Sequence, residues 1–475
     1  MSNATQSVAA ARINSLLDAN SFVEIGQAVT ARTTDFNMTE KKAPSDGVIT
    51  GYGVIDGSLV YVYSQDASVL NGTVGEMHAK KIAKIYDLAL KVGAPVIGLV
   101  DCAGLRLQEA TDALEAFGEI YLKQTLASGV IPQITAVFGT CGGGMAVVPA
   151  FTFVEEKKGR LFVNTPNALE GNRVEKCDSA SAQFQSEETG LVDGIGTEEE
   201  ILGQIRTLVS MLPENNEDND SFKECTDDLN RVCDDIAGCT GDTAIALSRI
   251  ADNGEFFETK AAYGQDIVTG FLRLNGATVG AVANRSESYD ADGNKTEVSD
   301  GTLSSRGARK AAEFVKFCDA FEIPVLTLTN VTGFKATLCN EKMMAKSVGE
   351  MVHAFASATV PKVNVVIGKA YGTAYVAMNS KSVGADMVYA WDSAEIGMMD
   401  ASLAAKIMYE GADASTLNEK AAEYKELQNG IASAAARGYV DTVIKAEDTR
   451  KYVIGAFEML FTKREDRPSK KHGTV

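Results

Sequence analysis

Histidine is scarce in this chain of 475 residues, and the three present, His78, His353 and His472, stand far apart in no catalytic constellation. Chemistry built on a histidine base or a histidine-held metal therefore has little to start from. The eight cysteines are spread singly with no C-x-x-C pair, so neither a zinc ribbon nor a disulfide framework is indicated, no metal site is expected, and reduced thiols in a cytoplasm are the simplest expectation. No run approaches the ~18 to 20 apolar residues of a membrane span, and the opening MSNATQSVAAARINSLLDAN lacks the apolar core of a signal peptide. Positive charge is in deficit: 45 Lys and Arg against 64 Asp and Glu give a net charge of −19, which argues against nucleic acid or an anionic membrane surface as partner. The G-x-G-x-x-G and G-x-x-x-x-G-K patterns are both missing, so NAD and ATP sites are unsupported.

Glycine, by contrast, is concentrated where it matters. In Ile131 to Ala146, IPQITAVFGTCGGGMA, an apolar strand empties into three consecutive glycines, and Val360 to Tyr375, VPKVNVVIGKAYGTAY, repeats the device. Glycine lets a backbone come close to a ligand, and amides at such a turn can face developing negative charge. Two anion-binding turns imply two anionic intermediates. The two stretches belong to a longer repeat. His78 to Gly104 overlays Gly307 to Gly333 without gaps, pairing Lys81 with Lys310 and Pro95 with Pro324 at an offset of 229. The same offset pairs Ser128 with Ser357, Gly139 with Gly368 and Gly143 with Gly372. Upstream, TGYGVIDGSLV from Thr50 matches TGFLRLNGATV from Thr269 at an offset of 219. The chain thus reads as a tandem duplication, with domains expected over 1–220 and 221–475.

Periodicity supplies the elements. A helix is expected from Ala9 to Leu17, a hairpin over Gly47 to Tyr63 turning at Asp56-Gly57, and a helix over Glu76 to Lys91 with Ile82, Ile85, Leu88 and Ala89 on one face. Strands are expected at Pro95 to Val100 and Ile131 to Phe138, separated by a helix over Phe117 to Ser128, with another helix beginning at Met145. Leu212 to Cys239, rich in Asp, Glu and Asn, has the composition of a linker with a short helix at its end. The second half repeats the plan: a hairpin over Ile267 to Ala281, a helix over Ala308 to Phe321, and strands at Pro324 to Leu328, Val363 to Ile367 and Asp386 to Ala390. Final helices lie within Gly430 to Phe461, ahead of the basic tail KREDRPSKKHG. Alternating strand, turn and helix makes an α/β protein with parallel sheet and ligand turns at the carboxyl ends of strands.

The succession SFVEIG, GVITGYG, GEMHAKKIAKIYDLAL, GAPVIGL, TLASGVIPQI, NGEFFETKA, RKAAEFVKFCDAFEIPVLTL, ATVPKV, KAYGTAY, SVGADMVYAW, SAEIGMM and PSKKHG resembles the carboxyltransferase subunit of biotin-dependent acyl-CoA carboxylases and decarboxylases, from Ala9 to Gly473. The resemblance implies a duplicated crotonase-like (ClpP/crotonase) ββα-superhelix fold, acyl-CoA on the first domain, carboxybiotin on the second, and commonly a hexamer. It implies a biotin carboxyl carrier protein as a separate partner, because Lys342-Met-Met lacks the A-M-K-M order of a biotin-accepting lysine, and beside it a biotin carboxylase or membrane decarboxylase subunits. It places Gly143 and Gly144 at the hole for the thioester oxygen, where the family usually has C-A-G-G-A. Thr373 and Ala374, after Gly372, fall at the hole for the biotin oxygen, where the family usually has Gly-Gly-Ala after a Tyr.

Gly104 in DCAGLR and Gly333 in NVTGFKAT mark the first-loop bends, although the residues around them depart from the family's D-S-G-G-A-R and Pro-Gly-Phe-Leu-Pro-Gly. Lys80 and Lys81 are candidates for CoA phosphates, and Val376, where many members have Asp, is a candidate lining of the acyl pocket. Gln183 to Asp193 replaces a stretch that usually carries a His and a Ser-Gly pair. Besides a catalytic carboxyltransferase, two readings stay open: a binding or scaffold subunit of such a complex, and a crotonase-like hydratase or isomerase, for which Glu109 and Glu115 would be the acids.

Overall fold

Asp56 and Gly57 both take positive φ, 49° and 90°, the pair of values a two-residue hairpin turn needs to follow the twist of its strands. In the computed structural model this turn joins β2 (Val48–Ile55) to β3 (Ser58–Gln65). Residues 7–32, 35–41, 43–217, 221–289 and 293–475 are described; residues 218–220 of the acidic linker stretch lie outside them. The chain divides into two compact units, Met1–Ser221 and Phe222–Val475.

In the first unit, β1 (Val23–Ile25), β2, β3, β4 (Val96–Cys102), β5 (Gln133–Gly142), β6 (Phe151–Glu155) and β8 (Gly194–Gly196) form one sheet in that order, with β7 (Arg160–Phe162) beside the end of β5. From β3 onward the pairing is parallel. The first two crossovers run through helices, Glu76–Val92 between β3 and β4 and Ala110–Ala127 between β4 and β5. Glu76–Val92 buries Ile82, Ile85 and Ala89 and half-buries Leu88, the stripe that its periodicity predicts.

The second unit repeats this with β9 (Phe256–Thr259), β10 (Ile267–Leu274) and β11 (Ala277–Asn284). A short ribbon, β12 (Glu287–Tyr289) with β13 (Lys295–Val298), and a pair, β14 (Thr302–Leu303) with β16 (Gly333–Phe334), flank a sheet continued by β15 (Val325–Val331), β17 (Lys362–Tyr371), β18 (Met387–Trp391) and β20 (Thr442–Ile444). β19 (Glu395–Gly397) lies beside the end of β17 as β7 does beside β5. Its crossover helices are Ser305–Ala320 and Leu338–Ser357.

The lysines paired by the repeat have a structural explanation. Lys81 is buried and its ammonium donates to the carbonyl of Ser45 (3.1 Å), the hydroxyl of Ser45 and the carbonyl of Val48. Lys310 is buried likewise, on the carbonyls of Lys260, Tyr263 and Ile267 at 2.8 to 3.0 Å. Val48 and Ile267 correspond at the hairpin's offset of 219, so each lysine ties its crossover helix to the start of its hairpin. Burial lowers both, Lys81 to about 8 and Lys310 to about 7.

Four expectations need correction. No helix begins at Met145: 145–150 are turns and bends. The carbonyls a helix would use are taken, Gly143's by the Tyr121 hydroxyl (3.1 Å), Met145's by Gln124 Nε2 (3.3 Å), and Gly144's by the Val147 amide in a tight turn (3.2 Å). The gapless offset of 229 does not carry through the helix before β5. Buried Ala113, Ala116, Ile120 and Ala127 correspond to buried Met344, Ser347, Met351 and Ala358, an offset of 231. The C-terminal helical stretch is interrupted, Ile431–Ala436 and Thr449–Leu460 flanking β20. Finally, the linker-like stretch is not loose after residue 220. Lys223 N donates to Gly276 O and Cys233 N to Glu447 O, both at 3.0 Å, and fully buried Arg450 donates to the Asp228 carbonyl (3.2 Å).

Candidate active site

Both glycine turns are prepared by the same irregularity in the sheet. Val100 pairs with Val137 and Cys102 with Cys141, so Asp101 alone faces a three-residue arc of β5, Phe138-Gly139-Thr140. In the second unit Thr329 pairs with Val366 and Val331 with Ala370, so Asn330 alone faces Ile367-Gly368-Lys369. All these positions correspond at an offset of 229. Such bulges leave a main-chain donor without its ladder partner and re-aim the strand beyond. Here the side chain opposite the arc serves as acceptor. Asp101 Oδ1 accepts from the Thr140 amide (3.2 Å), and Asn330 Oδ1 accepts from the Lys369 amide (3.0 Å). A Cβ on Gly139 would collide with Asp101 Oδ1, and one on Gly368 with Asn330 Oδ1, which is why glycine stands at the middle of each arc. One strand further back, Gln65 accepts from the Asp101 amide (3.3 Å) and Asn284 from the Asn330 amide (2.9 Å).

Beyond the arcs the two turns part ways. In the first unit Gly143 and Gly144 have φ of 80° and 89°, a conformation that costs other residues roughly 1–2 kcal/mol. Gly143 is exposed, and a Cβ there would meet nothing within 4 Å; one on Gly144 would collide with the Tyr121 hydroxyl. Tyr121, on Ala110–Ala127, thus braces the turn from below. Cys141 and Cys102 are both buried beside it, and burial pushes the Cys141 thiol up to about 12, so they are packing groups rather than nucleophiles. Gly104 is buried at its bend, its carbonyl accepting from the Val74 amide (2.9 Å).

In the second unit Gly372 (φ 62°) opens a helix, Gly372–Ala377, whose N-terminus has no side-chain cap. Thr373 and Ala374 are its second and third residues, so their amides have no intrahelical acceptor. Thr373 is exposed and Ala374 buried. Tyr371, just before the turn, donates to Glu395 Oε2 (2.5 Å), and Glu395 also pairs with Lys425 (2.7 Å). Burial, then Glu395, drives the Tyr371 phenol above its ordinary range. Val376 is 36 % exposed on this short helix rather than packed beneath it. An open cavity of about 520 Å3 lies at the ends of β15 and β17, lined among others by Ser286, Asp300, Asn330, Lys369 and Glu395. Gly333, half-buried, pairs with Thr302 across β14 and β16.

The two lysines named for CoA phosphates are not placed for that role. Lys81 is enclosed in its clasp. Lys80 is exposed but pairs with Glu76 (2.6 Å), as Arg32 does, in a groove that also carries Asp112, Glu115 and Glu119, so acidic groups outnumber basic ones there and disfavour a phosphate. Glu109 is no free acid either: it is buried, one oxygen on Arg106 (2.8 Å) and the other accepting the Glu76 amide (2.7 Å). Glu115 lies on the exposed groove, so the pair does not form the acid couple a hydratase would need. Sequence reasoning missed Asp101, Asn330 and Tyr121. The first two were visible as a matched pair at the 229 offset, each 38 residues before an equally matched glycine.

Comparison with known proteins gives a consistent result. The carboxyl transferase domain family matches residues 2–475. The chain is 39% identical to the propionyl-CoA carboxylase beta chain of Roseobacter denitrificans, over 98% of this chain and 92% of that one. It is 38% identical to the methylmalonyl-CoA decarboxylase subunit alpha of Veillonella parvula, with the same coverage. The crystal structure of the transcarboxylase 12S hexamer with hydrolysed methylmalonyl-coenzyme A bound superposes with a TM-score of 0.91 at 36% identity, covering 98% of this chain and 92% of that one.

Proposed function

The chain belongs to the carboxyl transferase family, and from that membership we propose that it moves a carboxyl group between biotin on a separate carrier protein and the α-carbon of an acyl-CoA. It is a carboxyltransferase of the propionyl-CoA carboxylase and methylmalonyl-CoA type, with a crotonase-like α/β fold. The observation that carries the reading is the double arc: two glycine turns, prepared by the same bulge at the same offset, in a chain alike to these enzymes over nearly its whole length.

Transfer to the acyl-CoA breaks a C–N bond and makes a C–C bond, and negative charge appears on the thioester oxygen and on the ureido oxygen. Biotin carries the carboxyl group and, on giving it up, accepts the α-proton. The chain's contribution is to hold both oxygens. Gly143 and Gly144 would face the thioester oxygen, in a turn open beside Gly143, and the uncapped amides of Thr373 and Ala374 after Gly372 would face the ureido oxygen. Backbone donors need no reorganisation as charge develops, and each is worth ~3 kcal/mol of barrier. Gly104 and Gly333 shape the neighbouring bends, and Val376 lines the acyl pocket. Lys80 and Lys81 drop out of the binding set.

The 12S relative is described as a hexamer, and we infer a homo-hexamer here too, cytoplasmic, serving a biotin carboxylase or membrane decarboxylase subunits. No helix among the described residues is long and apolar enough to cross a membrane. The test supplies the purified chain with free carboxybiotin and propionyl-CoA and follows methylmalonyl-CoA by mass spectrometry. Product above the uncatalysed level supports the reading; CoA-ester binding without product would leave a scaffold subunit.

A further inference from the structure

The arcs that precede the two turns do more than bend the strand. We propose that Asp101 and Asn330 are positioning residues, each setting one oxyanion turn from three to five residues away by holding the arc of the neighbouring strand. The inference rests on the carboxyltransferase reading for what the turns bind.

The geometry is the same in each unit and closed within it. The sheet ladder is broken at Asp101, leaving Thr140's amide to the carboxylate (3.2 Å); it is broken at Asn330, leaving Lys369's amide to the side-chain oxygen (3.0 Å). Thr140 is three residues before Gly143, and Lys369 three before Gly372. Gly139 and Gly368 let the acceptor sit against the arc with no room for a side chain between. A strand that loses this acceptor has an orphaned amide and a strong incentive to re-register, which would displace the turn that follows it.

What holds the acceptor differs. Asp101 is steadied by Arg12, whose guanidinium lies 3.7 Å from Oδ2 and stacks 4.7 Å over the ring of Phe138, itself part of the arc; Arg12 also pairs with Glu198 (3.1 Å). Asn330 instead donates its Nδ2 to the Thr240 carbonyl (3.1 Å). An Asn at 101 would keep the acceptor for the Thr140 amide and give up only the 3.7 Å pair with Arg12. The second arc needs an amide, because a carboxylate there would face the Thr240 carbonyl with no proton to donate.

The experiment compares Asp101→Ala, Asp101→Asn, Asn330→Ala and Asn330→Asp in the full chain. Transfer kinetics are read with acyl-CoA and free carboxybiotin each varied, and amide exchange at Thr140 and Lys369 by mass spectrometry. Asp101→Ala and Asn330→Ala are each expected to lower kcat about 10- to 100-fold, with KM for either substrate within about threefold. Asp101→Asn should restore most of that loss, and Asn330→Asp should not. Faster exchange should appear at Thr140 alone in Asp101→Ala and at Lys369 alone in Asn330→Ala; uniform acceleration through the unit would mean a general loss of stability and overturn the inference. Alanine variants with wild-type kcat, or Asn330→Asp as active as Asp101→Asn, would also overturn it while leaving the transfer activity established. A wild type that transfers nothing overturns the parent reading and this one together.

Discussion

The two units share the bulge and arc that lead into each turn and differ after it. In the first, side chains of the preceding helix, Tyr121 and Gln124, take the carbonyls of Gly143 and Met145 and no helix follows; in the second, a short helix, Gly372–Ala377, starts at the glycine itself. The duplication has kept the device that aims the strand and changed the device that presents the amides. On the proposed assignment the turns meet oxyanions of different chemistry, one on a thioester and one on a ureido ring, a sufficient physical reason for the difference. The comparison also separates repeated residues that serve the fold from those that serve chemistry: Lys81 and Lys310 match because both hairpins need the same clasp.

The largest break in this comparison is expected from Gly144→Ala. The added Cβ meets positive φ and the Tyr121 hydroxyl together, and loss of an aligned donor costs about 3 kcal/mol, roughly 100-fold in kcat, with CoA-ester affinity retained by calorimetry. Unchanged turnover would remove Gly144 from the hole. Next is stability. The Lys310 pKa of about 7 lies below its unfolded 10.5, so between those values the unfolded chain binds more protons and stability rises with pH; below pH 7 the contribution is flat. Urea denaturation at pH 7 and pH 10 should show the wild type gaining roughly 2 kcal/mol over Lys310→Met, the three carbonyl acceptors offsetting part of the burial effect. Lys81, at about 8, should give the same sign over a narrower window; a gain toward acid pH in either would mean that the carbonyl acceptors outweigh burial and would contradict the lowered pKa.

Much of this was legible in the sequence because strand, glycine and hairpin signals are local. The β2–β3 turn, both crossover plans and both glycine turns follow from period, Asp-Gly and the repeat. What was not legible depends on distant partners. The helix expected at Met145 fails because Tyr121 and Gln124, more than twenty residues upstream, reach the carbonyls it needs. Lys81 reads as a candidate for CoA phosphates from its charge, and only the hairpin's carbonyls explain its burial. The arcs lie at matched positions of the 229 offset, but that the ladder breaks there depends on the pairing between strands, which a sequence repeat does not display.

Smaller effects sharpen the contrast. Val376→Asp places a charge on the exposed face of the second unit's short helix; the ratio of rates for acetyl-, propionyl- and butyryl-CoA should shift by about 1 kcal/mol, and an unchanged rank order would mean that Val376 does not read the acyl group. Tyr121→Phe removes one hydrogen bond from the first turn only, and a three- to fivefold fall in kcat is expected, about 0.5–1 kcal/mol, with no counterpart in the second unit.

The division of labour between the units is tested most directly by decarboxylation of carboxybiotin in the absence of any acyl-CoA, a reaction that develops charge on the ureido oxygen alone. Gly372→Ala should slow this release at least tenfold, roughly half or more of one oxyanion donor's worth, while Gly144→Ala should leave it at the wild-type rate. Equal losses in the two variants, or a loss in Gly144→Ala only, would contradict the assignment of one oxyanion to each turn.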